Sequence, residues 1–97
     1  MKPKTELPQK VAYFAAQMGV SPAGIRVTDA KTRFGSCSGK NRLCFSWRLM
    51  LYPDAAIDYV VVHELAHIVH KNHRKEFHAL VASVLPDHKE RIKLLRE

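Results

Sequence analysis

The chain has 97 residues, is 46% hydrophobic and 26% charged, and carries a net charge of +7. That length supports one domain with a modest core, and the composition excludes a disordered chain. No apolar run reaches membrane-spanning length and the first ten residues lack the apolar core of a signal peptide, so a cytoplasmic protein without membrane contact is expected.

A single domain over residues 1–97 is expected, with 1–7 flexible. From Pro8 to Met18, apolar Val11, Ala12, Phe14, Ala15 and Met18 follow helical spacing, and Gly19 suits the stop. Pro22 and Gly24 mark a turn, after which Ile25–Asp29 alternates as a short strand should. Gly35, Ser36, Ser38, Gly39 and Asn41 form a turn cluster. Leu43, Phe45 and Trp47 then alternate with Cys44, Ser46 and Arg48, a strand with one buried face. Asp54 suits the N-cap of a helix from Ala55 to His70, apolar on nearly every side and therefore central. Lys71-Asn72 breaks the pattern. A further helix is expected from Arg74 to Val84, and Asp87 caps a last short helix that packs through Ile92, Leu94 and Leu95.

The segment "VVVHELAHIVHKNH", residues 60–73, carries the chemistry. His63, Glu64 and His67 form H-E-x-x-H, which on a helix sets two imidazoles one turn apart on the same face. Zinc takes such nitrogen ligands and, in a catalytic site, keeps one position for water. The metal would lower the pKa of that water, with Glu64 taking the proton and passing it to a leaving amine. Shuffling this composition yields the pattern in roughly 2% of chains, so the pattern alone does not decide. Its context does more: two imidazoles and a carboxylate in the most apolar helix cost stability unless paired or metal-bound.

Three residues are candidates for the third ligand. His70 lies roughly 10 Å along the helix axis from His63, a long reach for one ion. His73 follows the Lys71-Asn72 break, where the chain can fold back, at the offset found in H-E-x-x-H-x-x-G-x-x-H. Glu76 is the carboxylate alternative. Reach and turn geometry favour His73. His78 and His88 are expected at the surface or behind the ligands. Cys37 and Cys44 are spaced C-x6-C, which fits no common zinc module; reduced thiols beside a hairpin are expected, with a disulfide or an auxiliary metal as alternatives.

The stretch "TRFGSCSGKNRLCFSWRLMLYPDAAIDYVVVHELAHIVHKNHRKEFHALVASVLPD" resembles the YgjP-like metallopeptidase domain, related to the SprT-like and WLM groups. The likeness runs from about Val11 to Leu95. It rests on the R-x-G-S-C-S turn, the strand leading to R-L, the I-D-Y-V-V-V-H-E-L helix, N-H and a late P-D. Phe34, Arg74 and His78 depart from the Trp, Ser and Trp of that pattern, on the substrate side. The resemblance implies an α+β, compact zincin-like domain: a small antiparallel sheet of two to three strands packed on a central active-site helix, with three further helices. It also implies Zn2+ held by His63, His67 and His73, with Glu64 catalytic. Since the family is often about twice this length, the chain is expected to be a compact version or a fragment.

The resulting expectation is a zinc metallopeptidase acting on a peptide or protein substrate. Arg33, Arg48 and Tyr59 are candidates for substrate or oxyanion contacts. The alternative is a non-catalytic zinc-stabilised module that binds nucleic acid or an acidic protein through its basic surface. No nucleic-acid recognition motif accompanies that charge.

Overall fold

The computed structural model describes residues 6–31, 34–71 and 75–95. The elements run α1 (Glu6–Met18), β1 (Gly24–Thr28), β2 (Gly35–Cys37), β3 (Arg42–Ser46), a 3-10 helix (Trp47–Leu51), α2 (Asp54–Val69), α3 (Lys75–Val84) and α4 (His88–Leu95). Four helices and a small sheet give the expected α+β architecture.

Helix α1 buries Leu7, Val11, Phe14 and Ala15 at helical spacing, so the chain is already packed at Leu7, inside the stretch expected to be flexible. Its end is a Schellman arrangement: Gly19 at φ +68 lets the N–H of Val20 reach the carbonyl of Ala15 (3.0 Å). The Lys10 ammonium bonds Asp58 at 2.7 Å and ties α1 to α2.

The sheet order is β1-β3-β2. The β2–β3 hairpin is antiparallel as expected, but β1 runs parallel to β3, so the sheet is mixed rather than wholly antiparallel. The reason lies in the crossing between β1 and β2, which passes over the end of β3. There the Ser46 hydroxyl donates to the Ala30 carbonyl (2.7 Å) and the Ser46 N–H to the Phe34 carbonyl (2.9 Å). The crossing carries β2 to the far side of β3. Consequently β3 is central, and the edge strand beside α2 is β2, not the Leu43–Trp47 segment. Asn41, at φ +64, closes the hairpin turn, a conformation asparagine tolerates well.

Ser36 stands opposite Cys44, and Cys37 opposite Leu43. Directly opposed residues share a face, so the two thiols lie on opposite faces of the sheet, and both are free. The strand Leu43–Trp47 also ends earlier than its alternation predicts. Trp47 opens the 3-10 helix, where its indole N–H donates to Asp29 Oδ1 (2.6 Å) and Arg48 stacks over its ring.

Helix α2 is the centre of the molecule. It packs against α1, α3, α4 and β2, and buries Ile57, Val61, Val62, Leu65 and Ala66. This explains an apolar surface on nearly every side. Asp54 sits in the first turn and Pro53 at the cap, without a side-chain capping bond, one position from the expected boundary. An acid there still complements the helix dipole. The helix stops at Val69, with His70 extended (φ −124, ψ 109). Among the described residues no helix is long and apolar enough to cross a membrane.

Candidate metal centre

His63, Glu64 and His67 occupy the C-terminal half of α2, where the helix passes the sheet edge and the opening of α3. One ring nitrogen from each histidine and one Glu64 oxygen lie within 4.8 Å of one another. The imidazoles meet edge to face, with ring centres 5.0 Å apart. Phe77 of α3, fully buried, packs against both rings at 5.1 and 4.6 Å. Helical spacing supplies the pairing and α3 supplies the wall behind it.

The second nitrogen of each ring is engaged in a way that fixes what the first can do. His67 Nδ1 stands 3.2 Å from the His70 carbonyl, and a carbonyl only accepts, so Nδ1 carries the proton and Nε2 is the ring's lone-pair nitrogen. His63 Nδ1 donates to Glu64 Oε2 at 3.0 Å, which makes Nε2 the lone-pair nitrogen of that ring too. Orienting bonds of this kind, from a carbonyl and a carboxylate, are typical behind metal-bound imidazoles. Glu64 is 6% exposed, and a carboxylate that buried needs positive charge or donors nearby. The donor set therefore fits a divalent ion of the zinc class.

Gly35 of β2 explains how close the strand comes. A Cβ at that position would stand 3.1 Å from Glu64 Cγ and 3.2 Å from both Phe45 Cδ1 and Val60 Cγ1. The glycine is needed for approach, since it lets the strand edge lie on the helix beside the carboxylate. Gly35→Ala is expected to cost about 1–3 kcal/mol through overpacking and to displace the Glu64 side chain. Chemical denaturation reads the first effect. An unchanged unfolding midpoint would contradict the contact.

Above these residues lies an open groove of about 360 Å³, lined by Gly35, Cys37, His63, Glu64, His67 and Lys71. A second depression of about 180 Å³ adjoins it through Gly35, His63 and Glu64 and continues to Phe34 and Tyr59. Burial and the Glu64 carboxylate push the Tyr59 phenol up from its usual range, so it stays protonated and able to donate at neutral pH. Burial chiefly raises the Cys37 thiol, with Lys71 opposing and Glu64 adding to the rise. A larger depression, about 390 Å³, lies between α1 and α2, where Lys10 ties up Asp58. It holds no histidine and no metal-ligand set.

The expected third ligand, His73, lies outside the described residues, as do Asn72, Arg74 and Arg33. Among the described residues neither Glu76, exposed in the first turn of α3, nor the His70 side chain joins the donor cluster. His70 contributes through its main chain instead, by holding the ring of His67. His78 packs on the edge of Phe77, and Arg48 is taken up by Asp29 and Trp47. Gly35, Cys37 and Lys71 are the site residues that composition and spacing miss. The glycine within the G-S-C turn was the one available signal.

Solved structures that share this architecture include two metallopeptidase zymogens. The metallopeptidase zymogen jannalysin of Methanocaldococcus jannaschii matches with a TM-score of 0.80 at 18% identity, covering 99% of this chain and 97% of that one. The metallopeptidase zymogen abylysin of Pyrococcus abyssi matches with a TM-score of 0.78 at 20% identity, covering 88% and 87%. At such identities the likeness establishes the fold. No curated protein matches the chain. The sequence model of the YgjP-like metallopeptidase domain matches residues 2–97, almost the whole chain; the chain belongs to the YgjP-like metallopeptidase domain family.

Proposed function

We propose that this chain is a zinc-dependent peptidase in which His63, His67 and His73 hold the ion and Glu64 is the general base. The observation that carries the reading is the buried Glu64 carboxylate. It lies within 4.8 Å of ring nitrogens of both histidines and opens onto a groove beside a sheet edge.

Bound zinc supplies Lewis acidity, lowering the pKa of water toward neutrality and polarising the scissile carbonyl. The chain supplies the rest. His63 and His67 present Nε2, each ring oriented by its Nδ1–H bond. Glu64 accepts the proton of the attacking water and delivers it to the leaving amine. The outer edge of β2, unpaired among the described strands, offers main-chain N–H and C=O groups to an extended substrate, while Tyr59 provides a protonated hydroxyl at one end of the groove.

The test is made on protein purified without chelator. One zinc per chain, and cleavage of unstructured peptides that o-phenanthroline abolishes, are the expected results. Absence of stoichiometric zinc would overturn the reading. The alternative of a basic binding module predicts salt-sensitive nucleic-acid binding with zinc retained and no peptide cleaved.

A further inference from the structure

The groove is chemically different at its two ends. Toward Phe34 and Tyr59 the described lining adds no charge to that of Glu64, whereas toward Cys37 and His67 it reaches the ammonium of Lys71. Lys71 Nζ donates to the side-chain carbonyl of Asn41, the residue whose left-handed backbone closes the β2–β3 turn. That bond fixes the ammonium over the end of β2. Its acceptor is neutral, however, and among the described residues no carboxylate forms an ion pair with Lys71. An ammonium has three donors, so two remain for a further acceptor. The one carboxylate in this part of the groove is Glu64, already bonded by His63.

We infer that Lys71 is a specificity-determining residue, selecting substrates with an acidic side chain on the Cys37–His67 side of the scissile bond. The inference rests on the peptidase reading for the word substrate, but its physical content is a carboxylate site beside the metal. A lysine held by a neutral partner keeps its charge available to the groove that it lines beside Cys37 and His67. An aspartate or glutamate placed there completes the ammonium's hydrogen bonds and neutralises it. A lysine or arginine meets a like charge. Among the described residues the opposite end, with Phe34 and Tyr59, has no comparable cation, so the preference is assigned to the Lys71 side.

Tripeptides capped with a hydroxamate, which chelates zinc, test the site without requiring turnover. Each position in turn carries Glu, Gln or Lys, and affinity for the zinc-loaded full chain is measured by calorimetry at 150 mM salt. At one position the Glu compound is expected to bind about tenfold tighter than its Lys counterpart. Lys71→Glu reverses that order, and Lys71→Arg keeps it. Lys93→Glu on α4, an exposed residue outside the groove, makes the same change in net charge and also keeps it. No selectivity above twofold at any position, no measurable binding of any hydroxamate, or an equal shift in Lys71→Glu and Lys93→Glu would each overturn the inference. Selective binding with no peptide cleaved by the unmodified chain would sink the peptidase reading alone.

Discussion

Glu64→Gln is expected to lower peptide cleavage by about 10²–10⁴-fold while leaving one zinc per chain, the range typical for loss of a positioned general base. The amide is nearly isosteric, so the contacts against Gly35 are kept. Its oxygen still accepts the proton of His63 Nδ1, so the ring continues to present Nε2. What it cannot do is take up and return a proton at neutral pH. Turnover of an unstructured peptide, measured beside zinc content, separates three outcomes. Lost activity with retained metal fits a proton carrier. Lost metal would make Glu64 a structural partner of His63, and full activity would remove it from the mechanism.

The second large effect is expected from α3. Phe77 is 1% exposed and lies against both imidazoles, so Phe77→Ala opens a cavity where the two rings are held. Truncating a buried phenylalanine costs about 3–5 kcal/mol. Since domains of this size hold only about 5–15 kcal/mol in total, the melting temperature should fall by more than ~10 °C. Groups that orient metal ligands commonly contribute about 10–100-fold in metal affinity, so zinc should also bind more weakly. Phe77→Leu fills much of the cavity and should recover most of the stability. Calorimetric melting with and without added zinc reads both effects, and an alanine variant that melts like the parent would contradict the packing.

Where the fold was legible, periodicity was unambiguous. The spacing of Val11, Phe14, Ala15 and Met18 announces α1, and the all-round apolar surface of Ala55–His70 announces a central helix, which ends one residue earlier, at Val69. Local pattern failed where long-range pairing decides. Alternation in 25–29 and 43–47 predicts two strands but not their relative direction, which is set by the crossing held at Ser46. Trp47 continues the alternation and yet leaves the strand, because Asp29 and Arg48 hold its ring outside the core.

The site divides in the same way. His63, Glu64 and His67 are four-residue neighbours on one helix, and their convergence follows from helical geometry alone. Cys37 and Lys71 join them only through tertiary packing, so nothing in their local sequence marks them. His70 has the residue type of a ligand but acts through its carbonyl, a role that side-chain chemistry does not announce. The bonds at Nδ1 of both histidines likewise belong to the folded state.

A zinc-edge anomalous difference map from crystals of the full chain tests the central claim most directly. One peak is predicted at bonding distance, about 2.0–2.1 Å, from Nε2 of both His63 and His67, with His73 as the third protein ligand and Glu64 beside the ion rather than bound to it. A zinc-loaded crystal with no peak at these two nitrogens, or with its zinc elsewhere on the chain, would contradict it.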